Sequence, residues 1–291
     1  MNIHFKPQKA KTYGKDKLKP QATDKWLVSI KYDGHQVFIV KHNGDVSLYT
    51  SGWKPFRHDL IKQQIKELPY DNFVLIGEFI YDCDGRLGCR EKSAILTTFR
   101  TNWSKGLRNE LQDERLSTIK IFDVLDIVND KLVTDIKTHF RLYSLYKYET
   151  LNVEPIRITF CNLNEALKIA GIVTKKGYEG IMCIHPDSYY DIGKRVHHAI
   201  KIKPRLTADL LCIGVTKGKG KYENLIGSLT LQDSKGRTVD VGSGLTDEDR
   251  QYTNYYYIDS VVEIEYEKIS DTYIQPVFKC IRRDKKHYEI D

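Results

Sequence analysis

No stretch of this 291-residue sequence is apolar for long enough to cross a bilayer. The opening residues, Met1 to Leu18, are polar and lysine-rich and lack the apolar core of a signal peptide. A membrane or secreted protein is therefore not expected, and the reading is of a cytoplasmic one. Cysteine is sparse and scattered: Cys83, Cys89, Cys161, Cys183, Cys212 and Cys280 include no pair at C-x-x-C spacing. That leaves a zinc module and a disulfide framework without support and fits a reducing compartment. Internal repeats and low-complexity segments are also missing.

What is present is an ordinary globular composition, 41% hydrophobic and 29% charged, in a chain long enough for one large or two unequal domains. The 46 Lys and Arg outnumber the 39 Asp and Glu, and the resulting charge of +7 points to a polyanionic partner.

Residues 1–24 show little periodicity and read as an extended lead-in lying on the first domain. Val28 to Ile39 reads as two alternating strands broken at Asp33-Gly34, with Lys31 on the lip of the break. Asn43-Gly44 is a hairpin signal joining Val37–Lys41 to Val46–Thr50, so a three-stranded antiparallel unit is expected. The spacing of Leu60, Ile61, Ile65 and Leu68 predicts a helix over 57–68, followed by a buried strand from Phe73 to Tyr81. Residues 84–116 are polar and charged, with Arg86, Arg90, Lys92, Arg100, Lys105 and Arg108 available either as a solvated face or as the border of a phosphate-rich groove. A strand over 118–127, a helix over 138–151 and a helix opening at Asn162 with Glu165 in a capping box follow. Next come strands Ile181–Ile184 and Ala199–Lys203, the second closed by Pro204. From Arg205 onward five strand candidates separated by glycine-rich turns suit a small barrel of OB type, with Thr246–Glu248 capping a short helix.

Several residues in this plan need a reason to be where they are. A lysine at the end of a buried strand and a carboxylate inside one are both costly unless paired. Alone, Lys31 is most simply a solvated strand end and Glu78 a salt-bridge partner at a bulge beside Gly77. Together, Lys31, Glu78, Phe122, Glu179, Lys201 and Lys203 form a kit for a nucleoside triphosphate. The kit has an amine nucleophile, two carboxylates for a divalent cation, an aromatic plate for a base, and two same-face cations for phosphate charge.

The motifs resemble those of the ATP-dependent DNA ligases, members of the covalent nucleotidyltransferase superfamily. Lys31-Tyr32-Asp33-Gly34 is similar to the first motif, and Ile76-Gly77-Glu78, Ile121 to Leu125, Tyr178 to Met182 and Ile200 to Pro204 follow in order. Gly218 to Tyr222, Val241 to Thr246 and Phe278 to Lys285 extend the resemblance almost to the end. It implies an α+β fold: an ATP-grasp-like nucleotidyltransferase domain of antiparallel sheets with flanking helices over 1–204, then an OB-fold barrel over 205–291. It further implies that Lys31 becomes adenylated by ATP, with Ser29, Ile30, Gln36, Glu78, Phe122, Lys201, Lys203, Arg282 and Lys285 around the nucleotide. Glu179 and Glu78 would hold Mg2+ or Mn2+. The implied substrate is nicked duplex DNA, handled by a monomer without a separate N-terminal DNA-binding domain. Relatives that share the first motif and barrel are RNA ligases and mRNA-capping guanylyltransferases, and a non-catalytic duplex-binding OB protein is the reading from a different class. Three positions depart from the family pattern: Gln36 and Tyr49-Thr50-Ser51-Gly52 lack the usual arginines, and Cys280 stands where another is common.

Overall fold

The computed structural model describes residues 3–14, 16, 24–81, 117–269 and 271–291, and these fall into two compact units, Met1–Lys203 and Pro204–Asp291. The expected roles of the charged segment 84–116 lie outside the described residues.

In the first unit the strands are β1 (Lys9–Thr12), β2 (Lys25–Lys31), β3 (His35–His42), β4 (Asp45–Thr50), β5 (Phe73–Tyr81), β6 (Ser117–Val128), β7 (Lys131–Leu132), β8 (Val153–Pro155), β9 (Ile158–Asn162), β10 (Gly180–Ile184) and β11 (Arg195–Ile202). Among the described residues of this unit, three α-helices accompany them: α1 (Asp59–Glu67), α2 (Thr138–Ser144) and α3 (Leu163–Lys175). One sheet has the order β1-β11-β10-β2-β9; the other runs β4-β3-β5-β6-β7, with β8 beside β6. The three-stranded unit expected around Lys31 is thus corrected. β3 pairs with β4 and β5, whereas β2 pairs with β9 and β10. The Asp33-Gly34 break carries the chain from one sheet to the other. The expectation of antiparallel sheets also needs amending, because β1 runs parallel to β11 and β8 parallel to β6.

Alternation along β3 explains how the second sheet is buried on both faces. Val37 and Ile39 join one core with α1, while Phe38 and Val40 join another with Phe5 and Tyr190. On β2, Trp26 and Val28 pack with α3, and Leu27 faces the core of the second sheet. Ser29 and Lys31 share the parity of Leu27, so the strand directs them between the sheets.

The helix expected over 138–151 is shorter. α2 ends at Ser144 and a tighter 3-10 turn covers Leu145–Tyr148, so that Leu142 at the end of α2 and Leu145 and Tyr148 in the turn, all buried, recur every third position. Three-residue spacing eclipses side chains in a 3-10 turn and so keeps all three on the core. α3 opens with the capping box of Asn162 and Glu165. α2 also supplies Arg141, only 3% exposed, which donates to both carboxylate oxygens of Asp123 at 2.8 and 3.2 Å.

The second unit is a five-stranded antiparallel sheet ordered β14-β13-β12-β15-β18, with a short β16-β17 hairpin. Its strands are β12 (Leu206–Lys217), β13 (Ile226–Gln232), β14 (Thr238–Val241), β15 (Val261–Tyr266), β16 (Lys268–Ile269), β17 (Tyr273–Ile274) and β18 (Val277–Ile281). β12 is shared by β13 and β15 and breaks register twice along its pairing with β13. Such irregularities bend a strand and curl its sheet around one core, here Leu210, Leu229, Leu231, Val262, Ile264 and Phe278. A hydrogen bond of 2.8 Å from Phe278 N–H to Ser243 O ties the segment after β14 to β18. Thr246 and Asp249 bond each other reciprocally ahead of a short turn, Asp249–Gln251.

Removing one partner of a buried ion pair leaves a charge without compensation. Arg141→Met is expected to lower unfolding stability by about 3 kcal/mol or more, and adding Asp123→Asn should recover part of it. Urea denaturation of the single and double variants measures both.

Candidate active site

A cavity of about 360 Å³ lies within the first unit. Its floor belongs to the first sheet, where Ser29 stands opposite Met182, and Met182 opposite Lys201. These three residues and Lys31 line it. Its other wall comes from the second sheet, through Gln36 on β3, Glu78 on β5 and Phe122 on β6. Gln36 and Glu78 are register partners.

The position of Phe122 follows from a bulge. Ile76 pairs with Asp123 but Gly77 pairs with Ile121, so Phe122 is the extra residue on β6. A bulge shifts side-chain parity. Ile121 and Val124 therefore share one core despite their odd spacing, while Phe122 and Asp123 both face the cavity. The salt bridge of Asp123 to Arg141 anchors the carboxylate next to Phe122.

Close backbone approaches explain two glycines. A Cβ on Gly34 would stand 2.3 Å from Phe79 O, and one on Gly180 would stand 2.2 Å from Ile202 O. Only glycine lets the loop after Lys31 lie on β5, where Gly34 N–H donates to Glu78 Oε1 at 3.1 Å. Gly180, at φ +142, lets the chain carrying Glu179 approach β11.

Glu179 joins the charged groups. One of its carboxylate oxygens accepts from Lys31 Nζ and the other from Lys203 Nζ. Lys201 has its ammonium pushed down, first by burial and then by Lys203, Lys31 and Arg195. Glu78 reaches the cavity but is otherwise enclosed by protein, and its carboxyl is pushed up to about 7. Desolvation is the main cause, aided by Glu179 and Asp33, and opposed by Lys31 and the Gly34 N–H.

Of the residues singled out in the sequence, Ser29, Ile30, Lys31, Gln36, Glu78, Phe122 and Lys201 line one cavity. Glu179 and Lys203 join them through Lys31. Arg282 and Lys285 lie in the second unit, where both converge on Asp209 at 3.1 and 2.6 Å. Arg282 also pairs with Glu263 and with Asp284, whose carboxyl it holds down at about 2.

Sequence reasoning missed Lys9, Tyr190 and Arg195, which also line the cavity. Lys9 sits in the lead-in, whose four-residue strand is too short to show a period. Arg195 donates to Ala10 O at 2.8 Å across the parallel pair β1-β11, a contact without local signature.

The carboxylates at the cavity form a sparse donor set for a divalent cation. Among the described residues no group of three or more His, Cys, Asp or Glu converges. Glu78 and Glu179 nevertheless influence each other electrostatically, and two hard oxygen donors suit an ion whose other ligands are phosphate and water.

Residues 7–203 match the ATP dependent DNA ligase domain, and residues 217–282 match the DNA ligase OB-like domain. The chain belongs to the ATP-dependent DNA ligase family. A DNA ligase of Methanococcus maripaludis is 28% identical over 255 residues, covering 75% of this chain and 42% of the relative. DNA ligase 2 of Methanosarcina mazei is 28% identical over 238 residues, covering 75% of this chain and 40% of the relative. The chain thus spans about two-fifths of the length of these curated relatives. Solved structures that share its fold include two DNA ligases. A Lig E DNA ligase, described as binding DNA with a minimal scaffold, aligns at TM-score 0.69 and 20% identity over 96% of this chain and all of its own. The ATP-dependent DNA ligase of bacteriophage T7, solved with ATP, aligns at 0.55 and 19% over 97% of this chain and 100% of its own. No helix among the described residues is long and apolar enough to cross a membrane.

Glu78 supplies a pH test. Because its folded-state value is raised above the ordinary 4.5 to about 7, folding binds a proton between those values and stability falls as pH rises through that window. Glu78→Gln should match the wild type near pH 4.5 and exceed it by roughly 3 kcal/mol above pH 8. Denaturant unfolding in chelator across that range measures the difference.

Proposed function

We propose that this chain seals nicks in duplex DNA at the expense of ATP, with Lys31 as the nucleophile. The observation that carries this reading is the Lys31–Glu179–Lys203 bridge at a cavity walled by Phe122 and Glu78. Residues 1–204 act as the adenylation domain and residues 205–291 as its OB-fold partner.

Lys31 must lose a proton before it can attack. The Nζ lone pair then forms a bond to the α-phosphorus of ATP as the bond to pyrophosphate breaks, leaving AMP on the lysine. Ser29, Ile30 and Gln36 shape the nucleotide subsite, and Phe122 stacks on the base. Lys201 and Lys203 stabilise the charge that grows on the α-phosphate. Glu179 and Glu78 would hold Mg2+ or Mn2+, which neutralises phosphate charge when bound. AMP then passes to the 5′-phosphate of a nick, where a new phosphoanhydride forms as the lysine–phosphorus bond breaks. The neighbouring 3′-hydroxyl attacks that 5′-phosphorus, AMP leaves, and the strand is closed. Arg282 and Lys285 serve the pyrophosphate-releasing step, exchanging their contacts with Asp209 for phosphate. The enzyme works as a monomer in the cytoplasm.

ATP labelled at the α-phosphate should label the wild type and leave Lys31→Ala unlabelled, with sealing of a nicked duplex lost in parallel. Label from GTP in place of ATP would indicate capping chemistry. Nick binding should weaken steeply between low and moderate salt, because phosphate contacts release counterions. Affinity that barely changes, measured by fluorescence anisotropy, would contradict a grip based on basic surfaces.

A further inference from the structure

Four of the six residues from Tyr252 to Tyr257 are tyrosines; Tyr257 belongs to the core of the second unit and the half-buried Tyr256 packs against it. Tyr257 is fully buried, packs edge-on to Phe278 and donates its hydroxyl to Asp249 O at 2.8 Å. Tyr252 and Tyr255 face outward, 40% and 92% exposed. The rings of Tyr252 and Tyr256 are stacked, with centroids 4.2 Å apart and planes 13° from parallel. Arg283 extends this column. Its guanidinium carbon is 5.7 Å from the Tyr256 centroid, and Nη2 donates to the Tyr256 hydroxyl at 2.7 Å. Three residues on, Lys286 lies 5.9 Å from the ring centre of Tyr288, which is 68% exposed.

The charges nearby are not equivalent. Arg282 and Lys285 are committed to carboxylates. Among the described residues, Arg283 and Lys286 contact tyrosine rings and form no ion pair. The surface therefore offers flat aromatic faces beside uncommitted cations. Nucleobases stack on such faces regardless of sequence, and cations accept the phosphates between them. Inside a duplex the base faces are covered by their neighbours, so a ring column can engage only bases that are unpaired.

The geometry points to the Tyr252–Tyr256–Arg283 column, with Tyr255 and Lys286, as a docking surface for an unpaired nucleic-acid strand. This goes beyond nick sealing and does not depend on adenylation of Lys31.

Fluorescence anisotropy of the full chain, without ATP, tests it with a labelled single-stranded oligothymidylate and a blunt duplex of equal length. Tyr252→Ala combined with Tyr255→Ala should weaken single-strand binding about tenfold and leave duplex binding within about twofold. Tyr255→Ala alone guards against misfolding, since that ring is almost wholly in solvent; it should lose part of the affinity, while Tyr255→Phe retains it. Arg283→Gln should lower single-strand affinity and flatten its salt dependence. No single-strand binding by the wild type, unchanged binding in the tyrosine variants, or equal loss on both probes would overturn the proposal. So would wild-type self-association that the tyrosine variants abolish, which would make the patch an interface between copies.

Discussion

The carboxylate of Glu179 holds two ammonium groups, and the first unit is built to make that possible. Lys31 arrives at the end of β2 and Lys203 just past β11, from strands that flank β10 on either side. Glu179 stands immediately before β10, where Gly180 permits a backbone approach that a side chain would block. Three like or unlike charges in a partly enclosed cleft are tolerable only as a set, since each alone carries a desolvation cost.

The same bridge bears on chemistry. Only the neutral amine of a lysine is a nucleophile, and in this bridge Lys31 shares the Glu179 carboxylate with Lys203. Lys201 adds a third positive charge nearby. An arriving triphosphate would draw these cations to itself. On the proposed mechanism Lys203 would exchange Glu179 for phosphate, while Lys31, released from the same carboxylate, would attack.

The sequence revealed the longer strands, though not β1, β7, β8, β9 or the β16-β17 hairpin, and the polar residues that could not rest in a core unpaired. Lys31, Glu78 and Glu179 stood out because charges at or within buried strands demand partners, and their order matched a known set of motifs. Less legible was which strands pair. Val28 to Ile39 looks like a hairpin in one dimension, yet its halves belong to different sheets, because β9 and β10 occupy both edges of β2. The β6 bulge was also hidden, since one extra residue leaves no compositional trace. The lead-in's strand and the Asp123–Arg141 pair depend on contacts distant in sequence, which local periodicity does not encode. Arg282 and Lys285 stood out only through the resemblance of the last motif, and their engagement with Asp209, more than 70 residues earlier in the chain, had no local signature.

The central claim is that the Lys31 amine, poised between the sheets, carries the nucleotide covalently. Incubating the protein with ATP and a divalent cation, then mapping its peptides by mass spectrometry, interrogates that bond directly. Adenylate should be found on the peptide containing Lys31, linked through an acid-labile phosphorus–nitrogen bond. Adenylate on any other residue, or none in protein that demonstrably binds ATP, would contradict the account.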